Sequence, residues 1–573
     1  MCGICGILYH DRSRSVSENL LQQMNEVLRH RGPDEEGRWQ AKNVGLGQRR
    51  LSIIDLSPLG RQPMSNEDGT VWITFNGEIY NYLELRAELI QKGHQFRSRT
   101  DTETIIHLWE EEGEHCVERL RGMFALALWD ERQQVLFLAR DRLGKKPLFY
   151  AALPDRILFG SEIKAILQDP DFKAEVDMEA IHHYLAFQSV PAPFCAFKGI
   201  HKLPPAHSLL IKNGQGTPRR YWKLSYQRKL SLNGSASIAA LQEEIIERLR
   251  EAVRIRLMSD VPLGAFLSGG IDSSIVVALM AGLMDQPVKT FSIGFSEDEY
   301  NELPYARMVA ERYGTDHHEF VVTPDAKAIF PELVWHYNEP FADSSAIPTY
   351  YVSKLARQYV TVILTGDGGD ENFAGYPRYQ NQGEHALQAN YPSWLSRLIR
   401  PSVGLRDFAR NGGGSWWREL RRRKDLTQER LLYYYRIAHF HESYQNQLYT
   451  PEFHARLGDT FTVDWLLDKY RQSDATNFLD STLDVDLNLY LPDTLMTKTD
   501  IAGMTHSLEA RMPLLDHPFL EFVAAIPPEL KLKDGVISKY IFKKQLNLIY
   551  LTKLSIAKRW VLECPLIIGS ATN

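Results

Sequence analysis

The sequence predicts an α/β protein of two or more domains, the second of them a doubly wound parallel sheet. A chain of 573 residues, 44% hydrophobic and 24% charged, is too long for one core. Between Lys212 and Ser237 it turns polar and carries Gly, Ser and Pro, which reads as a linker over 213–237. Beyond it, short apolar runs alternate with helical patterns, which is how βαβ units and a parallel sheet appear in sequence. The formal net charge of −6, with no long basic run, argues for small-molecule substrates and against a nucleic-acid partner. No stretch approaches the ~18 apolar residues of a membrane span, and Met1-Cys2-Gly3-Ile4 lacks the parts of a signal peptide. A cytoplasmic protein without a membrane partner is expected, and its five scattered cysteines fit a reducing compartment. A homodimer is left open.

The first 210 residues open on Met1-Cys2-Gly3-Ile4-Cys5-Gly6. Removal of Met1 would make Cys2 the first residue, and its α-amine, with an ordinary pKa of about 7.7–8.0, could take the thiol proton. Cys2-x-x-Cys5 also has redox or zinc spacing, but no second Cys/His pair completes a zinc site, and Cys5 reads as a buried strand residue. Four later segments are each weak alone. His30 to Asp34 is a charged turn, and Arg50 to Asp55 a strand beginning on an arginine. Asn76-Gly77 has the form of a hairpin turn. Thr100-Asp101-Thr102-Glu103 looks like a helix cap, with Asp101 as the N-cap. Taken singly, Arg50 is a surface charge.

Together with Cys2 these segments resemble the class II glutamine amidotransferases, and the likeness continues through Gly122-Met123-Phe124-Ala125 and Arg140 to Tyr150 as far as Lys164. The resemblance implies an N-terminal-nucleophile αββα sandwich over 2–212. It makes Cys2 the nucleophile toward glutamine, and Asn76 with the Gly77 N–H the stabilisers of the oxyanion. Arg50 would bind the glutamine α-carboxylate, and Asp101 and Glu78 its α-ammonium.

In the second domain, 238–573, a helix is expected over Ile238 to Leu257. Strands follow at Gly264–Leu267, Lys289–Phe295, His318–Val322 and Val360–Thr365. Ser268-Gly269-Gly270-Ile271-Asp272-Ser273-Ser274 lies between the first strand and a helix read from Ile275. Backbone N–H groups and a helix N-terminus there would face one anion. Neither Walker nor dinucleotide glycine spacing is present. Ser268, Ser273 and Ser274 can donate to phosphate, whereas Asp272 tolerates it only through a divalent cation, so a nucleotide with Mg²⁺ is expected. A serine-rich turn with an ordinary cap is the competing reading. Thr365-Gly366-Asp367-Gly368-Gly369-Asp370-Glu371 follows another strand, and its acids, Asp370 among them, suit Mg²⁺ or the transition state. Both loops fall at carboxyl ends of strands, so the active site is expected between them.

The first loop resembles the pyrophosphate loop of ATP pyrophosphatases. With Leu491 to Asp500 and Met504 to Asp516 the likeness becomes one to the glutamine-hydrolysing asparagine synthetases over nearly the whole chain. It implies nucleoside contacts from Ile293, Thr365, Gly366 and Phe266, with Gly269 and Gly270 in the phosphate loop, and a pyrophosphate contact from Lys539. Asp367 stands where such synthetases often carry Glu. The implied reaction uses ATP, Mg²⁺, glutamine and aspartate, with ammonia crossing an internal passage. Without that resemblance, the charge order Lys498-x-Asp500, Glu509-x-Arg511 and Asp516 reads as a surface network. Residues 376–479 read as a helical elaboration with no assigned chemistry. After about Gln545 the likeness stops, and a back-translation of Ala557 to Pro565 one nucleotide earlier can restore a family-like Arg-Lys-Lys-Met-Gly-Phe-Arg-Val-Pro. A frame change near residue 550 is therefore expected. Two other functions stay open: an amide-forming ligase acting on another carboxylate, and a redox or nucleotide-sensing module without turnover.

Overall fold

The computed structural model describes residues 2–231, 234–295, 301–323, 325–380, 427–458 and 460–548. The expected frame change and much of the helical elaboration lie outside these residues.

The first domain is two antiparallel six-stranded sheets packed face to face. One runs Ile200–Lys202, Phe149–Ala152, Arg156–Gly160, Gly3–Tyr9, Val44–Arg50, Glu35–Ala41. The other runs Arg219–Arg220, His207–Lys212, Val135–Arg140, Gly122–Asp130, Val71–Ile79, Met64–Ser65. Period-two alternation builds the layers. Ile4 and Leu8 point into the core between the sheets, where Ala125, Ala127 and Trp129 meet them. Cys5, Ile7 and Tyr9 point outward, against Leu20, Leu21 and Met24 of helix Glu18–Glu26. Phe124, Leu126 and Leu128 pack outward with Ile105, Ile106 and Trp109 of helix Asp101–Glu112. Helices thus cover both outer faces, giving the αββα sandwich, and Cys5 is the buried strand residue expected.

Three local expectations change. Arg50 ends the strand Val44–Arg50 rather than starting one, and the following loop turns at Asp55, whose φ is +56°. Asn76-Gly77 is no hairpin turn, because both residues lie within Val71–Ile79, opposite Ala125 and Phe124. The N-cap of the helix at Asp101 is Thr100, whose side chain accepts from the Glu103 N–H.

The second domain carries a five-stranded parallel sheet in the order Asp316–Val321, Lys289–Gly294, Leu263–Phe266, Val362–Leu364, Glu509–Arg511. Helices lie on both faces. Ile245, Leu249 and Val253 of helix Gly234–Arg254 pack with Ile275, Val276 and Val309 on one face. Val352, Tyr433, Tyr434 and Leu466 cover Phe291 and Ile363 on the other. The order reverses between Leu263–Phe266 and Val362–Leu364, so their following loops open one crevice. Helix Ile271–Ala281 starts four residues earlier than read, directly on Gly270.

The stretch read as a linker is tied down at both ends. Arg219–Arg220 extends the second sheet of the first domain, and Leu224 and Tyr226 are buried in the core of the second domain. Helix Gly234–Arg254 then begins before Ile238. Among the described residues, no helix is long and apolar enough to cross a membrane.

Candidate active site

Cys2 sits at the start of Gly3–Tyr9 with 7% of its surface exposed. Its backbone nitrogen donates to Asn76 Oδ1 at 3.0 Å. That bond fixes the Asn76 amide, whose buried Nδ2 has no hydrogen-bond partner. A donor is therefore left open on the residue that holds the Cys2 backbone. At Gly77 a Cβ would stand 2.1 Å from the Met123 carbonyl oxygen, so only glycine lets this strand approach its neighbour. Burial pushes the Cys2 thiol up, while the chain's amino terminus, the Leu51 backbone and Arg50 act to lower it.

Arg50 is buried rather than a surface charge. It meets Glu35 at 2.7 Å and donates to the Ile54 and Asp55 carbonyls at 3.3 and 2.6 Å. Asp101 accepts from the Ile79 N–H at 2.8 Å, and burial raises its carboxyl to about 6. Glu78 lies next to Gly77, but its side chain faces the second domain. Its Oε1 is 3.5 Å from Arg511 Nη2, and its buried Oε2 has no hydrogen-bond partner. Burial, then Glu509, pushes this carboxyl well above the usual range.

The charges read as a surface network are buried and cross between the domains. Asp500 meets Arg31 at 2.7 Å and Lys146 at 3.3 Å. Asp516 meets Arg256 at 3.0 Å and the Arg121 Nε at 3.1 Å. Arg31 also donates to the Cys2 carbonyl oxygen at 3.2 Å, which ties the nucleophile's own backbone to this interface. Sequence offered the charge order but not the partners.

The crevice of the parallel sheet is a cleft of about 760 Å³. Phe266, Ser268, Gly269, Gly270, Asp272, Ser273, Ile293, Thr365, Gly366, Asp367, Asp370 and Lys539 all line it. Ser274 does not; its hydroxyl is buried within the helix. Ser268 Oγ and Ser273 Oγ are 3.0 Å apart, and Ser268 Oγ accepts from the Gly270 N–H at 3.2 Å. Gly269 takes φ +75°, and a Cβ there would stand 2.5 Å from Tyr305 Cβ. A Cβ at Gly366 would stand 2.6 Å from the Ser273 nitrogen, so the two loops touch backbone to backbone. Lys539 Nζ bonds Asp272 and lies 2.7 Å from Asp370 Oδ1. The two carboxylates therefore already converge on one positive centre. Asp367 Oδ2 accepts from Thr365 Oγ1 at 2.8 Å and Thr499 Oγ1 at 3.4 Å. Asp343, Ser345, Lys498 and Thr499 complete one side of the cleft; no loop motif singled them out.

A glutamine amidotransferase domain model matches residues 1–222, and an asparagine synthase model matches residues 244–553. Asparagine synthetase [glutamine-hydrolyzing] 1 of Bacillus subtilis (strain 168) is 35% identical over 551 residues, covering 95% of this chain and 84% of that protein. Asparagine synthetase [glutamine-hydrolyzing] 3 of the same strain is 32% identical over 573 residues, covering 96% and 84%.

Proposed function

The chain belongs to the asparagine synthase family, with a glutamine amidotransferase domain ahead of the synthase domain, and from that premise we propose how two sites divide one reaction. The activity is glutamine-dependent, ATP-driven synthesis of asparagine from aspartate.

With Met1 removed, the Cys2 nitrogen is an α-amine able to take the thiol proton. The thiolate sulfur attacks the side-chain amide carbon of glutamine, and the oxyanion is received by Asn76 Nδ2 and the Gly77 N–H. Ammonia leaves with a proton, and water cleaves the thioester to glutamate. Arg50 takes the glutamine α-carboxylate and Asp101 the α-ammonium. Glu78, whose side chain faces Arg511 of the second domain, is not assigned to the ammonium.

In the cleft, a β-carboxylate oxygen of aspartate attacks the α-phosphorus of ATP, and pyrophosphate leaves with the electrons of the broken bond. Phe266, Ile293, Thr365 and Gly366 hold the nucleoside, and Lys539 meets the pyrophosphate. Asp272 and Asp370, which share one cation already, are the residues that would hold Mg²⁺. When bound, it would neutralise phosphate charge. The ammonia lone pair then attacks the acyl carbon, AMP departs, and a proton is lost. Asp367, which lines the same cleft, is the residue assigned to formation of the intermediate. The four described cysteines are free and buried, in keeping with a reducing cytoplasm.

The observation that carries the reading is the Cys2–Asn76 bond with the second Asn76 donor left open. Its test is Cys2→Ala. Glutamine-dependent synthesis should be lost and ammonia-dependent synthesis kept; equal loss of both contradicts the division.

A further inference from the structure

We propose that Lys498 and Asp343 recognise the acceptor's α-carboxylate and α-ammonium, which makes them the specificity-determining pair of the aspartate half-reaction. The inference rests on the reading of aspartate as the acceptor.

Lys498 stands in the first turn of helix Thr497–Met504 and lines the cleft with 8% of its surface exposed. Its Nζ donates to Ser345 Oγ at 3.0 Å, and among the described residues no carboxylate is in ion-pair contact with it. A buried ammonium held only by a hydroxyl is costly until an anion arrives. Burial acts to lower its pKa, but Asp343 and Asp367 outweigh that and keep it charged.

Asp343 lies before helix Ala346–Ala356. Its Oδ1 accepts from the Ser345 N–H at 2.9 Å and from Ser345 Oγ at 2.6 Å. One hydroxyl therefore separates a cation from an anion, both on the wall of the nucleotide cleft. An α-amino acid carries its carboxylate and ammonium on one carbon, which matches this spacing of opposite charges. Lys539, in contrast, already has two carboxylate partners, Asp272 and Asp370. Thr499, the residue after Lys498, reaches Asp367 on the nucleotide loop. An acceptor held at Lys498 would thus direct its second carboxylate toward the nucleotide.

The test uses the full chain and measures pyrophosphate release with ATP-Mg²⁺ and ammonium chloride. Three acceptors are compared: aspartate, β-alanine, which lacks the α-carboxylate, and succinate, which lacks the ammonium. The unsubstituted protein should prefer aspartate strongly. Lys498→Met should raise the KM for aspartate on the order of 100-fold. It should leave the KM for ATP within about twofold and erase the preference over β-alanine, while preference over succinate persists. Asp343→Asn should do the converse, and Lys498→Arg should recover part of the loss. Glutaminase activity in the same samples reports an intact first domain, and the thermal unfolding profile reports the second. An unchanged aspartate KM in Lys498→Met, or undiminished rejection of β-alanine, overturns the proposal. So does a Lys498→Met protein that keeps glutaminase activity but has no synthetase activity, if Lys498→Arg restores none. No pyrophosphate from the unsubstituted protein with aspartate overturns the acceptor reading itself, and the subsite with it.

Discussion

Asn76 has two tasks at one position: its carbonyl oxygen holds the Cys2 nitrogen and its amide nitrogen is the open donor. Asn76→Ala should lower glutaminase kcat by about 10²–10³-fold, the usual cost of losing an oxyanion donor, with ammonia-dependent synthesis unchanged. Asp101 supplies a pH signature. Burial raises it to about 6, against its bond from the Ile79 N–H. The folded protein therefore binds the extra proton between about pH 4 and 6. Asp101's contribution to stability is full below about 4 and is lost as pH rises through 6, by about 3 kcal/mol. Glutamine binding runs the other way, because the ammonium needs the ionised carboxylate. The glutaminase kcat/KM should rise with pH near 6, and that limb should vanish in Asp101→Asn; a profile unchanged by the substitution would contradict the assignment. The types of these residues were legible in sequence, but their surroundings were not. Asn76-Gly77 has the local form of a turn, and only the distant strand Gly122–Asp130 makes it a strand interior. Likewise nothing near Glu78 announces Arg511.

The phosphate loop shows how an element is set by its neighbours. Gly269 has a positive φ and no room for a side chain against Tyr305 and the Ala306 nitrogen. Gly269→Ala should therefore displace helix Leu303–Tyr313 or the loop. Pyrophosphate release should fall at least 10-fold while glutaminase activity persists; unchanged release would show that the loop does not need this approach. The strand–loop–helix order was readable because apolar runs, glycines and hydroxyls occur in sequence order. Element ends were less so. Helix Ile271–Ala281 begins within the motif because the Gly270 carbonyl already accepts from the Ser274 N–H at 3.0 Å, and Arg50 closes a strand because its guanidinium is drawn to the carbonyls of the next loop.

Across the whole molecule, ion pairs from the second domain reach the first at Arg31, Lys146, Glu78 and Arg121. Asp516 lies at the centre of one such contact. Burial would raise it, but Arg256 and Arg121 hold it at about 2. This stabilisation is present above the ordinary carboxylate range near 3.8 and is lost as pH falls through 2. Asp516→Asn leaves the buried Arg256 uncompensated and should cost about 3–5 kcal/mol, seen as a lower Tm. A Tm within 1 °C of the original, roughly the reach of a neutral surface substitution, would show that the contact is not energetically linked to the fold. The order of motifs along the chain predicts two domains, whereas the pairing between them depends on three-dimensional closure and left no local sequence trace. The central claim is that one chain makes ammonia at one site and uses it at another. Its most direct measurement is pyrophosphate and asparagine formed from ATP-Mg²⁺, aspartate and ammonium chloride in the Cys2→Ala protein. Equal amounts of the two products are predicted. Absence of both, from a protein in which the unsubstituted chain makes asparagine from ammonium, would contradict the account.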